Sequence, residues 1–129
     1  MAKKKQPEMC SPGRIGWNEL VTTNAGAAKK FYTKLTGWKT QPFGHNSGYT
    51  LFLNGKDRVA GMMQCPKKGN PAAWISYINV ADVDASAKKA LKLGGKILVP
   101  AMDIPDVGRI AVLEDPQGAA FGIFQPKAQ

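Results

Sequence analysis

Cysteine is nearly missing from this 129-residue chain: Cys10 and Cys65 are the two it has, with no CxxC spacing. Such a pair supports neither a disulfide framework nor a structural zinc site, so reduced thiols in a cytoplasmic protein are expected. Histidine is scarcer still. With His45 as the sole imidazole, a His-rich constellation for zinc, nickel or non-haem iron cannot be assembled. No stretch approaches the roughly 18 apolar residues of a membrane span, and no apolar secretory segment follows Lys3, Lys4 and Lys5. GxGxxG, P-loop, GxSxG and HExxH patterns are all absent, which leaves nucleotide-cofactor, serine-hydrolase and zincin chemistry without support; no cofactor is expected.

What is present fits one folded unit. The length suits a single domain, and 43% hydrophobic residues can build a core without metal or disulfide at this size. Glycine (14) and proline (9) make the chain turn-rich, below the share of about 25–30% that signals disorder. Nine acidic side chains face eighteen basic ones, a net charge of +9, which raises the question of nucleic acid. The lysines fall in a polar tail (Lys3 to Lys5) and on two helix-like stretches (Lys29, Lys30 and Lys34; Lys88, Lys89 and Lys92). Solvated lysines are ordinary there and no reader motif accompanies them, so nucleic acid is a distant alternative. The same charge favours a neutral or anionic small ligand over a cationic one.

The chain repeats itself. Asn24 to Gly37 (NAGAAKKFYTKLTG) lies without a gap over Asp82 to Gly95 (DVDASAKKALKLGG), with identities at Ala27/Ala85, Lys30/Lys88, Lys34/Lys92, Leu35/Leu93 and Gly37/Gly95. Each copy opens on an Asn or Asp able to cap a helix and closes on glycine, predicting amphipathic helices near Asn24 to Thr36 and Asp82 to Leu93. The same offset lays Trp17 to Thr22 over Ile75 to Val80, two strand-like segments. Further strands are predicted at Lys39–Pro42, Tyr49–Leu53, Ile97–Val99 and Arg109–Leu113. Ala60 to Gln64 and Phe121 to Gln125 close the copies, so each half reads βαβββ. The expected division is a basic tail over 1–13 and one domain over 14–126, made of module one (14–65), a linker (66–71) and module two (72–126).

Phe31-Tyr32 followed by Gly37-Trp38, VADVDA at Val80 to Ala85, LGG at Leu93 to Gly95 and GRIAVLEDPQG at Gly108 to Gly118, in this order and with the repeat, resemble the vicinal oxygen chelate superfamily of glyoxalase I, bleomycin-resistance proteins and extradiol dioxygenases. The resemblance covers about Arg14 to Pro126. It implies an α+β fold in which two βαβββ modules form an incomplete eight-stranded barrel around a ligand, and it implies a homodimer. Metal-dependent members carry one ligand on the first and one on the last strand of each module. Carried over, these positions fall on Trp17, Gly61, Ile75 and Gly122, none of which can bind a divalent cation; no metal is expected.

Glu19 is the candidate catalytic residue. Of the acidic residues it alone reads as mid-strand, the others as tail, cap or turn. Strand alternation puts it on one face with Trp17 and Val21. A carboxylate pointing inward needs a partner, and Arg109, Arg58 or a tyrosine could supply one; otherwise Glu19 acts as a general base or hydrogen-bonds a ligand. Ile75, Tyr77 and Asn79 should share that face, with Trp74 at its entrance, Arg109 at the rim and Met63 as adaptable packing. Gly61 and Gly122 remove bulk from mid-sheet and predict space for a ligand. The reading that follows is metal-free binding of a small neutral or anionic organic ligand; the alternative is a lyase or isomerase using Glu19 as acid/base. His45 reads as an exposed loop residue, and Asp115-Pro116-Gln117-Gly118 as a turn.

Overall fold

The computed structural model describes residues 11–44, 48–64 and 72–127; His45, the segment 66–71 and most of the basic tail lie outside them. In chain order the elements are β1 (Ile15–Thr22), α1 (Ala25–Thr36), β2 (Lys39–Phe43), β3 (Tyr49–Asn54), β4 (Asp57–Gln64), β5 (Ala73–Asn79), α2 (Val83–Lys92), β6 (Lys96–Ile104), β7 (Gly108–Glu114) and β8 (Ala120–Pro126). This is βαβββ twice over, an α+β chain as the repeat predicts. No helix among the described residues is long and apolar enough to cross a membrane. The described residues divide into two compact units, a first spanning 17–75 and a second made of 76–127 with 11–16.

Both helices start in the way their sequences require. The Asn24 side chain accepts from the Ala27 amide at 3.0 Å, and the Asp82 side chain accepts from the Ala85 amide at 3.0 Å. A second donor at each helix start is met from the end of the unit's last strand. Gln64 Oε1 accepts from the Ala25 amide at 3.2 Å, and Gln125 Oε1 from the Val83 amide at 2.9 Å, so strand end and helix start are tied together twice. Helix α1 closes on Gly37, whose φ of 79° is left-handed. In the second copy the left-handed residue is Gly94 (φ 95°), one before the expected Gly95. Gly95 is needed for a different reason: a Cβ there would press on the Glu114 and Ala90 carbonyl oxygens at 2.9 and 3.2 Å.

Within the first unit the strand order is β2-β3-β4-β1. β1 runs parallel to β4 with Glu19 beside Gly61, and β3 runs antiparallel to both β2 and β4. Alternation sends Leu20, Phe52, Ala60 and Met62 to the helix side, where they pack against Ala28, Tyr32 and Trp38. Phe52 and Met62 are fully buried, each worth about 2–3 kcal/mol of transfer free energy. The opposite face carries Trp17, Glu19, Val21, Leu51, Gly61 and Met63, as the register requires.

Within the second unit the order is β5-β8-β7-β6, with β5 parallel to β8 and Tyr77 beside Gly122. Its helix-side core is Val83, Ala87, Ala111, Leu113 and Ile123. Hydrogen bonds from the Gly13 amide to the Asn79 carbonyl and from the Asn79 amide to the Arg14 carbonyl, both 2.8 Å, close the end of β5. β6 runs well past the expected Ile97–Val99. Pro100 reads as a strand breaker, yet β6 is the outer strand of its unit and its register with β7 shifts on either side of Val99, so a missing amide there breaks no ladder bond. Asp103 therefore sits in a strand rather than the expected turn, and it is exposed. Asp115 behaves as expected, its carboxylate accepting from the Gln117 and Ala119 amides at 2.9 Å, with Gly118 at φ 96°.

Candidate ligand site

Glu19 is 7% exposed, and its partner is a tyrosine. Tyr49 Oη donates to Glu19 Oε1 at 3.0 Å and accepts from Trp17 Nε1 at 2.9 Å, a three-residue relay on the face of the first unit that turns away from α1. β1 supplies Trp17 and Glu19 two residues apart, hence on one side. β3 supplies Tyr49, which stands opposite Met63, while Leu51 stands opposite Gly61. The tyrosine side chain reaches diagonally to Gly61, where an added Cβ would overlap its hydroxyl and ring. Phe43 meets the ring edge-on, 6.0 Å between centroids at 76°.

Burial first, and the Glu19 carboxylate second, raise the Tyr49 phenol well above its ordinary range. It is therefore a neutral donor throughout the physiological range, and its bond to the carboxylate is charge-assisted, the stronger kind. Chemically the group can hold an anionic oxygen in place, with the proton kept on the phenol.

Gly61 and Gly122 leave no vacancy, which corrects the expectation of open space. Tyr49 covers the first, and the Tyr77 ring covers the second, where an added Cβ would overlap Cδ2 and Cε2. Glycine in a strand marked a close approach rather than a cavity. Trp74 needs correction too. Alternation along β5 sets it opposite in sense to Ile75, and its Nε1 donates to Tyr32 Oη of α1 at 3.1 Å; it joins Tyr32 and Phe52 on the helix side, not the entrance of the Glu19 face. Arg109 is engaged with its own neighbours: it grips Asp84 through Nε (3.0 Å) and Nη2 (3.1 Å), and Asp103 through Nη1 (2.9 Å). Both aspartates hold its guanidinium charged. Met63 is 39% exposed on the Glu19 face, whereas Ile75, Tyr77 and Asn79 are buried at 6%, 3% and 2%.

Tyr49 escaped the sequence reading. Its signal was a mid-strand glycine with a tyrosine two residues from the position opposite, visible once β3 and β4 are put in register. The second unit also carries an open groove of about 310 Å³ along Asp103, Asp106, Arg109 and Lys127. Its charges are already matched, Arg109 as above and Lys127 with Asp106 at 3.0 Å.

A divalent cation does not fit the four positions that the resemblance assigns to ligands. Trp17 and Ile75 offer no donor to one, and the rings of Tyr49 and Tyr77 lie over Gly61 and Gly122. No three His, Cys, Asp or Glu side chains gather among the described residues.

The family model described as Glyoxalase/Bleomycin resistance protein/Dioxygenase superfamily matches residues 14–123. The chain is 39% identical over 119 residues to a protein of Mycobacterium tuberculosis named "Putative glyoxylase CFP32", covering 91% of this chain and 46% of that one. It is 31% identical over 131 residues to the anthracycline biosynthesis protein DnrV of Streptomyces peucetius, covering 89% and 48%. The chain thus spans about half the length of the curated relatives it matches. A variant of methylmalonyl-CoA epimerase from Streptomyces coelicolor aligns with a TM-score of 0.59 over 92% of this chain and 100% of that one, at 17% identity, a likeness of fold alone.

Proposed function

The chain belongs to the Glyoxalase/Bleomycin resistance protein/Dioxygenase superfamily, and on that premise we propose that it binds a small neutral or anionic organic ligand on the Glu19 face without a divalent metal. The observation that carries this reading is the Trp17–Tyr49–Glu19 relay, which sets a buried carboxylate, a phenol and an indole where a cation would need ligands. Apolar surroundings with a few convergent polar groups are the usual make-up of a small-molecule site. The net charge of +9 adds a long-range preference against cationic ligands.

The test is calorimetric titration with a panel of aromatic and aliphatic metabolites, before and after dialysis against a chelator. Unchanged binding after dialysis is the expected result. About one nickel, zinc, iron or manganese per chain, retained through dialysis and required for binding, would overturn the proposal.

A second reading is favoured by the bond between Tyr49 and Glu19: a lyase or isomerase in which Glu19 moves the proton. Turnover of a panel member that Glu19→Gln abolishes would select it. A homodimer and a cytoplasmic setting with both thiols reduced complete the proposal, with no nucleic-acid partner. Leu91, Leu93 and Leu98, exposed at 50%, 69% and 47%, give a second copy apolar surface to cover. Light scattering at micromolar concentration checks the dimer.

A further inference from the structure

We propose that the ligand is a hydroxy-aromatic molecule that takes the place of the Tyr49 side chain over Gly61. The inference rests on the ligand-binding reading above and narrows it to one chemical class.

Tyr49 is itself a phenol held in this site, and the way it is held states what the site recognises. Gly61 supplies a seat without a side chain, into which the end of the tyrosine fits and where a Cβ would not. Phe43 meets the ring edge. Two polar atoms then fix the hydroxyl: Trp17 Nε1, which can only donate, at 2.9 Å, and a Glu19 carboxylate oxygen, which accepts, at 3.0 Å. A group satisfying both must accept from one side and donate to the other. A hydroxyl does so. A carboxylate cannot donate and would face the charge of Glu19, an ammonium cannot accept from the indole, and a ketone cannot donate. The seat selects a flat ring and the relay selects a hydroxyl on it.

Exchange needs only the ring to leave its seat. Tyr49 is the first residue of β3 and half-buried, so its ring can swing out by side-chain rotation without parting strands, and Met63 across from it is 39% exposed. The hydrogen bonds to Trp17 and Glu19 given up by Tyr49 are remade by the incoming hydroxyl. The same surroundings that raise the Tyr49 phenol would keep a bound phenol protonated, so the ligand binds neutral.

The experiment uses p-cresol, which is the tyrosine side chain as a free molecule, with toluene as its partner lacking the hydroxyl. In Tyr49→Ala, p-cresol should bind at least about tenfold more tightly than toluene, the ratio of one charge-assisted hydrogen bond, and more tightly than it binds wild type, where Tyr49 competes. Wild type should prefer 1-naphthol to both naphthalene and 1-naphthoate. Equal affinity for p-cresol and toluene in folded Tyr49→Ala would overturn the proposal. A wild-type preference for 1-naphthoate would overturn it as well, while leaving the broader ligand-binding reading standing; no binding by any aromatic or aliphatic panel member would remove both. Should Tyr49→Ala fail to fold, Trp17→Phe decides: loss of the naphthol preference supports the proposal, and its retention overturns it.

Discussion

Glu19 stands beside Gly61 in the parallel pair β1–β4, and Tyr77 stands beside Gly122 in the parallel pair β5–β8; the sequence repeat makes these the same position in two copies. In the second unit the first strand carries the aromatic ring that covers its glycine. In the first unit that position is a carboxylate, which cannot cover a glycine with apolar surface, and a tyrosine from β3 does so instead while hydrogen-bonding to the carboxylate. One copy uses the position for packing and the other for a polar group hydrogen-bonded to its neighbours. Duplicated architecture thus holds the fold constant while one side-chain exchange creates a candidate site, and the chemistry must be read from the side chains rather than from the scaffold.

The comparison is sharpest at the glycines. Gly122→Ala drives a methyl into the body of a ring that is 3% exposed, and overpacking of that kind should cost about 2–3 kcal/mol. Gly61→Ala meets the hydroxyl end of a half-buried tyrosine able to swing outward, so the loss should be nearer about 1 kcal/mol, roughly the worth of the hydrogen bonds released. Urea denaturation of the two variants reads both values. Equal losses would mean that Tyr49 is as immobile as Tyr77 and would break the distinction between packing copy and site copy.

Glu19→Gln comes next. The amide oxygen still accepts from Tyr49, so stability should fall by no more than about 1 kcal/mol, while ligand binding weakens or turnover stops. A loss of about 3–5 kcal/mol with binding intact would identify Glu19 as the member of a structural ion pair whose partner has been stranded.

Much of this was legible before the fold. The caps at Asn24 and Asp82, the closing glycines and the apolar alternation are local signals, set by which amide needs an acceptor and which face needs burial, and the repeat doubled each of them. Tyr49 was not legible because its contact with Gly61 is diagonal across two strands. It depends on the β3–β4 register, which itself shifts between Phe52 and Leu53 and which no local pattern specifies. Trp74 failed for a simpler reason: one step along β5 from Ile75 reverses the face, and its large aromatic area was better matched by Tyr32 and Phe52 than by the polar side. The strand expected at Ile97–Val99 was too short because an outer strand, which tolerates Pro100, cannot be told from an inner one until the neighbours are known.

Alkaline pH probes the same relay through linkage. Folding raises the Tyr49 phenol above its unfolded value, which is about 10, so the folded chain holds that proton where the unfolded chain begins to lose it. The associated stability is fully present below pH of about 10 and declines as pH rises beyond it. Melting temperatures of wild type and Tyr49→Phe should run parallel from pH 7 to 9 and converge above about 10 as wild type loses its advantage. Curves that stay parallel through pH 11 would show that the phenol is not held as described.

The smallest effect compares the two glutamines that close the strand-to-helix junctions. Gln125 reaches the amide of Val83, which is fully buried, through a partly buried bond, whereas Gln64 reaches the amide of Ala25 through an exposed one. Removing an acceptor costs most when water cannot replace it, because the stranded donor then pays its full desolvation. Gln125→Ala should therefore cost about 1 kcal/mol and Gln64→Ala a few tenths, within the range of ordinary cap losses. Amide hydrogen exchange adds the local reading: the Val83 amide should gain exchange rate in Gln125→Ala far more than the Ala25 amide does in Gln64→Ala, since the latter already meets solvent. If the two variants are equally destabilised, α1 is held at its start as tightly as α2. The first unit would then owe its greater freedom, if Gly61→Ala still shows it, to Tyr49 alone rather than to looser anchoring of the whole unit.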